Sequence, residues 1–208
     1  EEALLIASGI LSRIQSERAE YQDFAVLYRT NAQSRALEEA LRRRNLPYMI
    51  YSGNSFFERA EVKDMMAYFK LVVNLNDDES FKRIVNKPAR GIGDTSLSAL
   101  TAAASNHKVS LFKAAYSDDL ENFGLKQAAV KKIREFCNMI GSLTLKSNGS
   151  DAHTVAKKIA DDSGLYLFYK MDTSIEGQAR TANVEELIDS IKLFIDEKNS
   201  EYVEDMIA

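Results

Sequence analysis

One cysteine, two histidines and two prolines in 208 residues leave several chemistries without raw material. The lone Cys137 excludes an internal disulfide, and with only His107 and His153 beside it no cluster of soft metal ligands can form. A reducing, cytoplasmic setting suits such a chain. Long apolar runs are missing too: none approaches the roughly 20 residues that span a bilayer. The acidic start EEALLIASGI lacks the positive region of a signal peptide. No membrane partner is expected. Nor is there a surplus of positive charge, since 27 Lys and Arg against 31 Asp and Glu give a net charge of −4. Nucleic acid can therefore be met only through a local cluster of cations. The G-x-x-x-x-G-K-[ST] phosphate loop is absent, as is any Ser/His/Asp or metal-ligand constellation. No catalytic residue, metal ligand or cofactor is expected of these residues alone.

What is present is mainly helix-forming. Two prolines and nine glycines sit among abundant Ala, Leu, Glu and Lys, which lose little rotamer freedom in a helix. Leu4, Leu5, Leu11 and Ile14 recur at loosely helical spacing, and the apolar run Phe24 to Tyr28 has the length of a buried strand. Thr30 and Gln33 read as a capping box opening a helix with Ala36, Leu37, Ala40 and Leu41 on one stripe. On that helix Glu38 faces Arg42, and Glu39 faces Arg43, at i,i+4 spacing. Tyr48 to Tyr51 is a second strand candidate, and Val62, Met65, Met66 and Phe69 mark the next helix. Residues 1–74 thus read α/β/α/β/α, an order that suits a parallel βαβ unit whose two strands are too few for an independent sheet. From 75 to 208 the strand signal stops. Ser110 is placed to cap a helix; Val130, Ile133, Phe136, Cys137 and Ile140 share a face, and Val155 and Ile159 lie on a helix ending at Gly164. Val184, Leu187, Ile188, Ile191 and Ile195 keep a 3.6-residue period on the last long helix. The expected fold class is mainly α with a small α/β portion.

Three segments carry candidate chemistry. Phe81, Ile84 and Val85 mark a short helix, NKPARGIG a hairpin, and Leu97 and Leu100 a second helix begun near Asp94 or Thr95, the layout of a helix-hairpin-helix. Gly91 and Gly93 free the backbone around Ile92, so that consecutive N–H groups can approach a phosphate at a helix N-terminus, with Lys87 and Arg90 as point charges beside it. The same pattern also fits an ordinary Gly-rich turn capped by Asp94. In YRTNAQSR, Arg29, Asn31 and Arg35 stand where a strand runs into a helix N-terminus, an edge at which open α/β sheets bind ligands. Arg29 could hold a phosphate and Asn31 a base or backbone group, while Arg35 could equally pair only with Glu39. Phe56 and Phe57 could stack on bases, but packing is the commoner use of such side chains. Cys137 on an apolar face reads as an inert core thiol.

In their order, FAVLYRTNAQSRALEEAL, YMIYSGNSFFERAEVKDMMAYFKLVVN, NKPARGIGDTSLSAL, DSGLY and EGQARTANVEELI resemble the UvrD, PcrA and Rep group of superfamily 1 DNA helicases, over about residues 22–197. The resemblance implies that residues 1–74 are part of the second RecA-like domain, 2A, and residues 75–208 most of the helical 2B domain inserted in it. It implies that Arg29, Asn31 and Arg35 lie in the single-stranded DNA track, and that Lys87, Arg90, Gly91, Ile92, Gly93 and Thr95 belong to the element contacting duplex DNA at a junction. The parent of this resemblance is a 3′-to-5′ translocase that hydrolyses ATP with Mg²⁺ between its 1A and 2A domains. Its ATPase motifs are expected outside Glu1 to Ala208, so these residues alone are expected to be inactive, with 1A, 1B and the rest of 2A as partners. Two other readings remain open. One is a protein-interaction or autoinhibitory module, suggested by the net negative charge. The other is a helicase fused to a nuclease, for which no carboxylate-rich motif is present.

Overall fold

The computed structural model describes residues 2–28, 31–50, 56–147 and 151–207, with the backbone alone for 31, 32, 146 and 197–207. Ten α-helices are found among them. They are α1 (Glu2–Glu17), α2 (Asn31–Arg43), α3 (Ala60–Val73), α4 (Asp78–Ile84), α5 (Asp94–His107), α6 (Leu111–Ala114), α7 (Gln127–Ser147), α8 (Ala152–Asp162), α9 (Leu165–Lys170) and α10 (Ile175–Ile207). The mainly helical reading holds, but the described residues form no strand. Phe24 to Tyr28 and Tyr48 to Ile50 are not laddered; Tyr51 lies outside the described residues. The physical reason is that an apolar run becomes a strand only when a neighbouring backbone takes up its N–H and C=O groups. The chain divides into two compact units, Glu1–Lys63 and Asp64–Ala208, and α3 begins in the first and ends in the second.

In the first unit α1 packs on α2. Ala7, Ala40 and Leu46 are buried, with Ala3, Ile10, Leu11 and Leu41 packed against them. The expected helix is there and its expected face in part: Leu11 packs in and Ile14 is half-buried, while Leu4 and Leu5 are exposed. Small residues at Ala3, Ala7 and Ala40 join Ile10, Leu11 and Leu41 in the contact and let the two helices approach closely. Glu38 is buried at 2% exposure, where it accepts hydrogen bonds from the Phe56 N–H (2.9 Å) and the Tyr48 hydroxyl (3.2 Å). Thr30 of the expected capping box lies outside the described residues.

In the second unit the expected apolar faces close on one another. Phe81 of α4 meets Phe136 of α7 edge to face at 5.3 Å, an arrangement the ring quadrupoles favour. Ile133, Cys137 and Ile140 are buried beside Phe136 on α7, and Val184, Leu187 and Ile188 are buried on α10, which packs on α8 and α9. Caps begin the helices: Asp77 accepts from the Ser80 N–H at 3.0 Å for α4, Ser110 from Lys113 at 3.4 Å for α6, and Asp151 from Thr154 at 2.9 Å for α8. The Asp78 carboxylate accepts the Leu111 N–H at 2.8 Å, tying the start of α4 to α6. The Thr144 hydroxyl donates to the Val72 carbonyl at 2.8 Å, tying α7 to α3. No helix among the described residues is long and apolar enough to cross a membrane.

Burial pushes the Cys137 thiol up from an ordinary 9.0 to about 12, and the Tyr68 phenol from 10.0 to about 12. Both groups keep their protons in the folded chain at a pH where the unfolded chain has released them. The native state then binds more protons, so stability is fully present below pH 9 and falls as pH rises toward 12. Urea unfolding followed across that range should show the fall. Cys137→Ala should remove the portion that sets in near pH 9, and Tyr68→Phe the portion that sets in near pH 10.

Candidate nucleic-acid interface

The hairpin between α4 and α5 is built from the inside. Val85 and Ile92 are buried, at 1% and 3% exposure, and pin the two ends of the loop into the core. The Asn86 carboxamide oxygen accepts both the Arg90 N–H (2.7 Å) and the Ile92 N–H (3.1 Å), so one side chain substitutes for two backbone partners. The Lys87–Pro88 peptide is cis. The Tyr68 hydroxyl donates to the Lys87 carbonyl.

Arg90 turns inward. One guanidinium nitrogen donates to the carbonyls of Ile84 (3.2 Å), Lys87 (2.8 Å) and Pro88 (3.2 Å). The other donates to the Tyr68 hydroxyl (2.8 Å) and the Ser163 carbonyl (2.8 Å). Its carbon lies 5.2 Å from the centre of the Phe136 ring, a cation–π distance. Lys87 is also committed, donating to Asp64 at 2.8 Å. Asp64 is fully buried and bridged as well by Arg83 (2.7 Å) and the Tyr169 hydroxyl (2.9 Å). The two residues read from sequence as point charges for a phosphate thus also hold the loop in shape, with Lys87 still half-exposed.

The outer face is left to glycine backbone. Gly91 adopts φ +69°, the left-handed region that other residues enter only at a cost, and the Lys132 ammonium of α7 lies 3.5 Å from its carbonyl oxygen. Gly93 differs: its φ −85°, ψ 170° suits any residue, and an added methyl would meet nothing within 4 Å. Both glycines are exposed, as is Thr95. Among the described residues no acceptor takes the N–H groups of Gly91, Gly93, Asp94 or Thr95. They open at the positive end of the α5 dipole.

The structure thus brings Lys87, Arg90, Gly91, Ile92, Gly93 and Thr95 into one hairpin and helix start. It buries Ile92, whose N–H is taken up by Asn86. In the other unit Arg35 is 6% exposed and bound to Glu39 at 2.7 Å, and Glu39 also pairs with Arg43 at 2.7 Å. Arg29 and the Asn31 side chain lie outside the described residues. Phe56 is buried and edge-on to Phe57 at 5.2 Å, with Arg59 over the first ring and Arg42 over the second. That is packing rather than an open stacking platform. Asp64, Tyr68, Asn86 and Lys132 escaped the sequence reading because they meet the hairpin from distant helices or as an ordinary polar side chain. The one available signal was Asn86, an Asx residue at a turn.

A hairpin of glycine backbone at a helix start is the anion-binding device of many nucleic-acid proteins. All of residues 1–208 match the UvrD-like helicase C-terminal domain, and the chain belongs to that family. Among its relatives, DNA helicase II of Escherichia coli (strain K12) is 38% identical over 170 residues, covering 82% of this chain and 24% of that protein. DNA helicase II of Haemophilus influenzae is 36% identical over 208 residues, covering 100% of this chain and 28% of that protein. ATP-dependent DNA helicase PcrA of Leuconostoc citreum is 37% identical over 201 residues, covering 97% and 27%. The chain spans about a quarter of the length of these curated relatives.

Three stability outcomes follow from the geometry. Gly91→Ala should cost about 1–2 kcal/mol because of its positive φ. Gly93→Ala should stay within about 0.5 kcal/mol, as for an unstrained surface change. Asp64→Ala should cost roughly 3 kcal/mol, the low end for a broken buried pair, because half-exposed Arg83 and Lys87 can regain water. Urea denaturation of the three variants measures all of these.

Proposed function

We propose that this chain is the DNA-contacting C-terminal section of an ATP-dependent 3′-to-5′ DNA helicase, with the Gly91–Ile92–Gly93 hairpin and the start of α5 gripping duplex DNA by its phosphates. The observation that carries the reading is Gly93. Folding does not require glycine there, yet the position is bare and flanked by N–H groups without acceptors. A glycine that the fold does not demand is explained by something that must come close to its backbone. The first unit, Glu1–Lys63, belongs on this reading to a RecA-like 2A portion, with Arg29, Asn31 and Arg35 along a single strand, and residues 75–208 to a 2B domain built on a helix-hairpin-helix.

Phosphate binding here is electrostatic and sequence-independent. Backbone N–H groups and a helix dipole position the duplex without reading bases. Lys87 and Arg90 set the loop's shape, and half-exposed Lys87 also keeps its charge at the surface beside the glycines. ATP and Mg²⁺ belong to the parent helicase. The sequence lacks a phosphate loop, and the described residues hold no group of three acidic, His or Cys side chains for a metal. No step of ATP hydrolysis is assigned to these residues; the partners are DNA and the 1A, 1B and remaining 2A parts, in the cytoplasm.

One observation favours a second reading, a protein-interaction module: Leu167, Phe168, Met171 and Ile175 stand exposed along α9 and the turn after it. Fluorescence anisotropy of the 208-residue chain with a 3′-tailed DNA hairpin, across a salt series, separates the two. The helicase reading expects affinity that falls linearly on a log–log plot with salt. Gly93→Ala should weaken it roughly tenfold at unchanged stability, because a methyl there obstructs only a ligand. Binding that is equal in wild type and variant, or absent in both, would sink the hairpin assignment.

A further inference from the structure

Four of the cations around the hairpin already hold a carboxylate or carbonyl partner. Arg83 and Lys87 converge on Asp64, Arg90 is surrounded by carbonyl oxygens and the Tyr68 hydroxyl, and Lys131 stands 4.0 Å from Glu135. Lys132 is different. It makes no ion pair among the described residues, is exposed, and its one hydrogen bond is a long one of 3.5 Å to the Gly91 carbonyl. Its chain lies along the bare face of Gly91: a methyl added there would come within 2.5 Å of the Lys132 Nζ, 3.6 Å of Cε and 3.9 Å of Cδ. Gly91 thus serves twice, supplying the positive φ and leaving the ammonium a seat against the loop.

We propose that Lys132 is a phosphate-binding residue of the duplex site, supplied by α7 from outside the hairpin. The inference rests on the DNA-binding reading above and gives that site its mobile positive charge. A carbonyl at 3.5 Å is a poor partner for an ammonium, and a phosphate oxygen is a much better one. A phosphate approaching the open N–H groups of Gly91 and Gly93 comes within reach of a lysine chain already lying on Gly91. Lys132 then leaves the carbonyl and joins the backbone donors on the same anion. The assignment also answers a charge problem. Asp94, exposed in the first turn of α5, adds negative charge beside the cradle, while the hairpin's own Lys87 and Arg90 are tied to Asp64 and to carbonyl oxygens. Lys132, lying along Gly91, is placed to offset it.

The test is the salt dependence of duplex affinity for the full 208-residue chain. Each phosphate contact by a cation contributes about 0.9 to the slope of log affinity against log salt. Lys132→Ala should weaken binding about fivefold at low salt and lower the slope by about 1, with Lys132→Arg restoring both. Lys131→Ala removes the same net charge one residue away and should leave slope and affinity unchanged. An unchanged slope in Lys132→Ala, with or without a loss of stability, would overturn the proposal by making the residue a structural clamp on Gly91 only. Equal slopes lost by both alanine variants would also overturn it, since net charge would then be the cause. If Gly93→Ala abolishes binding while Lys132→Ala does not touch the slope, the helicase reading stands and the Lys132 assignment fails; if wild type does not bind duplex, both fail.

Discussion

A carboxylate with no access to water organises the second unit. Asp64 ionised and alone in that position would cost several kcal/mol, so the chain must bring compensation to it. Arg83 arrives from α4, Lys87 from the hairpin and Tyr169 from α9. Two adjoining elements and one far along the chain are thereby held to one point on α3. The same demand explains why the hairpin folds back over α3 rather than extending, because Lys87 reaches Asp64 only if the loop turns at once after α4.

From that anchor follows a division between an inner and an outer face of the loop. Arg83, Lys87 and Arg90 are tied to Asp64, to carbonyls and to the Phe136 ring, with Arg83 and Lys87 half-exposed. Bare backbone points out. Sharing of labour in this order suits a surface meant for many DNA sequences, since fixed N–H groups recognise the phosphate that every nucleotide carries. On the proposed reading it would also reconcile an acidic chain with an anionic partner, the attraction being confined to a few donors and one helix end, where overall charge matters little at a Debye length of about 8 Å.

Periodicity made most helices legible. The buried faces of α7 and α10 were read correctly at Ile133, Phe136, Cys137, Ile140, Val184, Leu187 and Ile188, because an apolar stripe at 3.6 residues reflects local geometry alone. The Ser110 cap was legible for the same reason. Phe24 to Tyr28 misled, since a strand is a property of two backbones and a run of apolar residues reports on one. On α1 the reading held for Leu11 but not for Leu4 and Leu5, and the small Ala3 and Ala7 on the packed face carried no signal of their own. In the site the two glycines were visible, but the direction of Arg90 was not. Its acceptor at Ser163 is 73 residues away, and no spacing rule reaches that far. Lys132 was hidden likewise, as one more exposed lysine on an amphipathic helix.

Those long spans have a bearing on how the chain is made. Arg90 closes on the Ser163 carbonyl across 73 residues, and Tyr169 on Asp64 across 105. A ribosome delivers the glycines of the hairpin well before the corner that holds them. Until α8 and α9 have emerged, Arg90 has no distant carbonyl to grip, and the loop has only its local bonds through Asn86 and Tyr68. Loop closure over such separations is a late and entropically costly event in folding. The surface proposed to meet DNA is therefore completed only once α9 has been synthesised, and chains that stop short of it present the glycines without the grip.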